Sequence, residues 1–306
     1  MTQFLLLLLL LLLCTERVLS STFTIVNECD YTVWPGVLSN AGSDPMGCTG
    51  FVLNAGETRT LKAPSGWAGR FWARAGCTFD GSGRGNCTTG DCGSNQIECN
   101  GAGATPPATL AEFKLDGDDG KDFYDVSLVD GYNMPVLVVA NGGTGVCAAT
   151  GCAADLNRQC PNELKLAAGD GCRSACEAFG TPKYCCSGEF ANPNTCQPSV
   201  YSEMFKSACP RSYSYAYDDA TSTFTCSGAD YTITFCPDSV PSQPSTKAPS
   251  PKKKGVFLQD DSWLASLAIG DASPKMMKWR NHFLRQAAPT VITVSFSALL
   301  LLRLEN

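Results

Sequence analysis

The chain has 306 residues, 18 cysteines, one histidine and a net charge of −6. The histidine is His282, so the long region before it can hold no Ser-His-Asp triad, no Cys-His dyad and no histidine-ligated zinc. Residues 22–236 carry 13 Lys/Arg against 23 Asp/Glu, a net of −10; such an acidic body does not suit nucleic-acid phosphates and suits neutral or cationic partners, carbohydrate among them.

In chain order, Phe4 to Leu13 is a leucine-rich run of secretory-signal length. It is shorter than the ~20 apolar residues a bilayer span needs. Val18 and Ser20 meet the small-residue cleavage rule, so residues 1–20 are predicted to be a signal peptide and the protein to be secreted. Cys14 leaves with that peptide, and seventeen cysteines remain. At that density in a secreted chain they are expected in disulfides. Cys185 and Cys186 are adjacent, so each must reach a separate partner. An odd count leaves one thiol over, and Cys48, alone in an early loop, is the candidate.

Short stretches that alternate between apolar and polar residues then recur between turns. "TFTIVNEC", "TVWPGVL", "GFVLNAGETRTLKAP", "GRFWARAGC", "FYDVSLVDGYNMPVLVVA" and "YTITFC" are predicted strands. Phe23, Ile25, Val33, Trp34, Phe71, Phe113, Val126, Val138 and Ile233 are among the expected core residues. "ADLNRQCPNELKL" and "CRSACEAF" are predicted short helices in the cysteine-dense stretch 147–210. The organisation expected is a mainly β body over residues 21–236, with that stretch as a disulfide-held lobe and a smaller lobe over about 77–105. Residues 237–254, "PDSVPSQPSTKAPSPKKK", have the composition of an extended linker. The extension 255–306 ends in an apolar run followed by Arg303 and Glu305. Two readings stay open for it: a lipid-anchor addition signal, giving association with the outer face of the membrane, or a cleaved or disordered extension.

Several stretches invite a chemical reading. "DGDDGKD" (116–122) offers acidic side chains, but Lys121 and Ser127 stand where a calcium loop needs Gly and Glu, so an acidic surface turn is expected. "GSGRG" (81–85) lacks the strand and helix of a phosphate-binding loop, and no cofactor is expected. Asn86 begins the sequon "NCT", a candidate N-glycosylation site. Cys87, Cys92 and Cys99 are spaced poorly for zinc, and no metal is expected. The carboxylates remain: Glu112 in "TLAEF", and Asp125 and Asp130 in "FYDVSLVDG", with Arg70 in "GRFWAR" able to hold one of them ionised. One protonated and one ionised carboxylate are the equipment for glycoside hydrolysis. By spacing alone a solvated acidic surface is the stronger reading.

"GRGNCTTGDC" (83–92) matches the signature G-x-[GF]-x-C-x-T-[GA]-D-C of the plant thaumatin-like proteins at every fixed position. "FTIVNEC", "PPATLAEF", "FYDVSLVDGYNMP", "CRSACEAF", "YCC" and "AYDDATSTFTC" extend the resemblance over about residues 22–236. It implies a flattened β-sandwich with smaller disulfide-rich lobes. It also implies eight bridges: Cys29–Cys236, Cys77–Cys87, Cys92–Cys99, Cys147–Cys226, Cys152–Cys209, Cys160–Cys172, Cys176–Cys185 and Cys186–Cys196, with Cys48 free. It further implies an acidic cleft of Arg70, Glu112, Asp125, Asp130 and Asp218, with Asp219 a substitute for the last. The function implied is a monomeric, secreted defence protein that binds β-1,3-glucan and acts against fungi. The alternatives are a weak endo-β-1,3-glucanase, with Glu112 as acid and Asp130 as nucleophile or base, and a wall- or membrane-tethered module. Asp91 is expected to fix a turn. The loop "GSNQIEC" departs from the usual family pattern, as does the chain after Pro237.

Overall fold

The computed structural model describes residues 20–167 and 170–239. The predicted signal peptide apart from Ser20, nearly all of the predicted linker and the C-terminal extension lie outside the described residues.

The described residues form eleven strands, β1 (Thr22–Asn27), β2 (Trp34–Ser39), β3 (Thr58–Lys62), β4 (Ala68–Arg74), β5 (Thr78–Phe79), β6 (Gly85–Asn86), β7 (Leu110–Lys114), β8 (Asp122–Ser127), β9 (Val136–Thr144), β10 (Thr150–Cys152) and β11 (Phe224–Phe235). Nine of them make one curled sheet with a path β10-β9-β11-β8-β7-β4-β2, and β1 pairs with β11 and β3. β11 gives the sheet its curl. Its first residues, Phe224 to Cys226, pair with β8. From Tyr231 to Phe235 it lies between β9 and a parallel β1.

Period-two alternation decides what each layer buries. Phe23, Ile25 and Asn27 of β1 are buried and the residues between them are half-buried. Phe71, Ala73, Ala111, Phe113, Tyr124 and Val126, from β4, β7 and β8, share one core with Phe23, Ile25, Tyr231, Ile233 and Phe235. Phe23 sits at its centre, with ring centroids 4.8 Å from Phe71, 4.7 Å from Phe113 and 5.5 Å from Trp67. Trp34 is only half-buried, because it faces the loop side, where its neighbour is Phe79 at 6.1 Å.

A second apolar cluster joins Leu128 and Tyr132 to Leu156, Leu164, Phe205 and the Cys152, Cys160, Cys172 and Cys209 sulfurs. The predicted helix in "ADLNRQCPNELKL" is cut to Leu156–Gln159. Cys160 is extended, as a residue before proline prefers, and Pro161 follows it. "CRSACEAF" gives Ala175–Phe179, capped by the Ser174 hydroxyl and closed by a left-handed Gly180. The longest helix among the described residues is Val200–Ala208, which the sequence pattern does not predict; its start is a reciprocal Ser199–Ser202 capping box.

All eight cysteine pairs named above are joined as disulfides, and Cys48 is free and half-buried. Cys29–Cys236 ties together strands that are 207 residues apart in sequence.

Candidate functional site

The faces of β4, β7 and β8 that point away from the core carry polar side chains in a row. Arg70 is directly opposite Glu112, and Glu112 is directly opposite Asp125. Paired residues on neighbouring strands place their Cβ atoms about 4.5–5.5 Å apart, so antiparallel register alone aligns the three. They are buried, at 6%, 1% and 2% exposure. Arg70 Nε lies 3.6 Å from Glu112 Oε1, an ion pair without hydrogen-bond contact. Arg70 Nε, both Glu112 oxygens and Asp125 Oδ1 are all buried without a hydrogen-bond partner. Elsewhere such atoms are nearly always satisfied.

Desolvation raises Glu112 to about 7; Arg70 opposes the rise and Asp130 adds to it. Asp125 is also raised, first by burial and then by the Glu112 charge, with Arg70 opposing. Two buried carboxylates beside a single guanidinium cannot both ionise cheaply. Near neutral pH burial therefore favours keeping at least one of the two carboxyls protonated.

Asp130 follows β8 in a tight turn. Gly131 has φ +84, and a Cβ there would meet the Cys172 carbonyl oxygen at 2.7 Å and Pro107 Cβ at 2.8 Å, so only glycine fits. Tyr132 and Cys172 exchange both backbone hydrogen bonds at 2.8 Å, which ties the turn to the second cluster. The turn returns Asp130 toward Arg70, whose charge opposes a burial-driven rise of the Asp130 carboxyl to about 6.

The fourth carboxylate depends on one residue of register. Tyr213 lies along β8, its N–H donating to Val126 O and its carbonyl accepting from Leu128 N–H, and its hydroxyl donates to Asp219 Oδ1 at 2.8 Å. Asp219 adds to the raising of Asp125, so Asp219 acts electrostatically on the row. Asp218 is occupied elsewhere. Its Oδ2 accepts from the Ser214 N–H and hydroxyl, both at 3.0 Å, and pairs with Lys206 Nζ at 2.9 Å. Lys206 also donates to Ser212 O and Ser222 Oγ, so it pins the loop that carries both acids.

Three other acids hold turns and loops. Asp91 accepts from Cys87 N–H and Gly93 N–H and fixes the turn in "CTTGDCG". Asp80 closes "GSGRG" on itself by accepting from Ser82 and Arg84. Asp116 accepts from Ser65 Oγ and Gly66 N–H. Asn86 is exposed on β6, but the Thr88 hydroxyl of its sequon donates to Gly76 O. Among the described residues no group of His, Cys, Asp and Glu is placed to hold a metal ion. No helix among them is long and apolar enough to cross a membrane.

The family model described as "Thaumatin family" matches residues 27–237. The chain belongs to the thaumatin family. "Thaumatin-like protein 1" of Arabidopsis thaliana is 65% identical over 224 residues, covering 71% of this chain and 86% of the relative. "Pathogenesis-related thaumatin-like protein 3.5" of Cryptomeria japonica is 59% identical over 226 residues, covering 73% and 92%. The solved thaumatin-like xylanase inhibitor TLXI is 25% identical with a TM-score of 0.39, covering 70% of this chain and 99% of that one.

Two residues of this thaumatin-family chain escaped the reading of the sequence. Glu177, on the Ala175–Phe179 helix, is exposed. Its carboxyl is raised to about 7, first by desolvation, with Arg173 opposing and Asp130 adding. Arg74 is fully buried on β4. It donates to Trp34 O at 2.9 Å and Ile97 O at 2.6 Å, and burial pulls it down to about 10 against the charges of Asp91 and Glu98. Arg74 ties the signature loop to β2. Its side-chain partners are backbone carbonyls and the Cys92 sulfur rather than the carboxylates of the row.

Proposed function

We propose that this thaumatin-family chain is a secreted plant defence protein that binds β-1,3-glucan through the row Arg70–Glu112–Asp125 and its neighbours Asp130 and Asp219. One observation carries the reading: Arg70 Nε, both Glu112 oxygens and Asp125 Oδ1 are buried without partners. Each unsatisfied buried group costs about 1–3 kcal/mol, a cost that the hydroxyls of a neutral sugar would offset once these side chains turn outward to meet it. A sugar presents both donors and acceptors, as a row of mixed protonation requires. The Cryptomeria japonica relative is named a pathogenesis-related protein, which favours a defence setting. Asp218 supports the site indirectly by holding its loop. Sedimentation with insoluble β-1,3-glucan, and with β-1,4-glucan as comparison, tests the reading. Wild type is expected to co-sediment with the first and Arg70→Gln to stay in solution; equal retention of both proteins would end it.

A second reading, slow hydrolysis of the same glucan, is favoured by the raised Glu112 beside the more readily ionised Asp130. That is the acid and nucleophile-or-base division of labour glycosidases use. Reducing-end release by wild type but not by Glu112→Gln is its expected signature, and no release by wild type removes it.

A further inference from the structure

Away from the carboxylate row, a half-open hollow of about 290 Å³ lies between the β10 turn and the end of the Val200–Ala208 helix. Its walls include Ala153, Ala154, Ala208, Cys209 and Pro210, and Arg211 is the one ionisable residue in the lining among the described residues. The volume is near the lower end of the ~300–1,000 Å³ typical of small-molecule sites. Small side chains leave the space open, and Cys209 of its lining is bridged to Cys152.

Arg211 is held in place from several sides. Its carbonyl accepts from Thr150 Oγ1 at 2.7 Å. The next carbonyl, Ser212 O, accepts from Lys206 Nζ at 3.0 Å, and Tyr213 is paired to β8. The guanidinium lies over the Phe224 ring, 4.7 Å from its centroid. Among the described residues it has no hydrogen-bond acceptor and no carboxylate within ion-pair distance. In a body with a net charge of −10 over residues 22–236, this cation sits beside an apolar space with its N–H donors unspent. Partial burial lowers its pKa, and an anion in contact would offset that cost.

We propose that this hollow binds a small amphipathic carboxylate, its apolar body against Ala153, Ala154, Ala208 and Pro210 and its carboxylate on the Arg211 guanidinium. A planar fork of N–H donors matches a carboxylate bidentately. Stacking on Phe224 holds the fork in place before the ligand arrives, so little side-chain freedom is lost on binding.

Titration calorimetry of the disulfide-intact protein with benzoate and with hexanoate tests the proposal, with benzamide and hexanamide as neutral controls. At least one acid is expected to bind saturably with a Kd below about 1 mM, and its amide at least tenfold more weakly. Arg211→Gln, which keeps a polar side chain over Phe224, is expected to weaken the acid at least tenfold and leave the amide unchanged. Ala208→Leu, which fills the hollow, is expected to abolish binding of both. If Ala208→Leu does not fold, the acid–amide difference and Arg211→Gln decide. No saturable binding of either acid up to about 10 mM, equal binding of acid and amide, or an Arg211→Gln protein that binds like wild type would each overturn the proposal.

Discussion

Glu112→Gln should change the slope of stability against pH rather than only its level. Burial beside Asp130 raises the Glu112 carboxyl from 4.5 to about 7 in the folded protein. Between those values the native state holds a proton that the unfolded chain has released. Stability therefore falls as pH rises through this window, by up to about 1.4 kcal/mol per pH unit and about 3 kcal/mol in total. Glutamine keeps the shape of the protonated acid and does not titrate. It also removes the charge that raises Asp125, which acts in the same direction. The gap in unfolding free energy between variant and wild type should thus move in favour of the variant by about 3 kcal/mol from pH 4 to pH 8. Urea unfolding with disulfides intact, at unit pH steps, measures it. Parallel profiles, or a wild type that gains stability across the window on account of this residue, would refute the reasoning.

Arg74→Met should remove the side-chain donor to the Trp34 and Ile97 carbonyls and cost about 3 kcal/mol, with amide exchange rising first around residues 92–99. Replacing Cys29 and Cys236 together by alanine releases a 207-residue loop; the chain-entropy model puts the loss near 5 kcal/mol, read from the urea midpoint. Tyr213→Phe removes the hydroxyl that donates to Asp219; it should cost about 1 kcal/mol of stability and weaken glucan retention while leaving the fold's circular dichroism unchanged.

The sequence disclosed the row's faces but not its assembly. Alternation in "LAEFK" and "DFYDVS" places Glu112 and Asp125 opposite the Phe113 and Val126 core faces, because side chains alternate along any strand. That Arg70, Glu112 and Asp125 share one line across β4, β7 and β8 depends on register between distant segments, which no local pattern encodes. The division between Asp218 and Asp219 was equally hidden. It is decided by a single helical turn starting at Asp219 and by Lys206, which arrives from another helix. Glu177 escaped notice because its relation to Asp130 is tertiary. Arg74 escaped because a strand arginine two residues from Trp72 gives no sign that its partners are carbonyls of β2 and the signature loop. The pattern of "ADLNRQCPNELKL" predicts a longer helix than Leu156–Gln159, because Pro161 holds Cys160 extended and ends it. The signature loop behaved as its residues implied, with Asp91 spent on backbone N–H groups.

The affinity of a soluble β-1,3-linked glucan oligosaccharide for wild type and for Asp125→Asn tests the central claim most directly. Asparagine preserves size while removing the titratable carboxyl that shares the buried row with Glu112. The account predicts saturable binding by wild type and at least a tenfold loss, about 1.4 kcal/mol, in the variant. Equal affinities in the two proteins, or no binding by wild type, would contradict it.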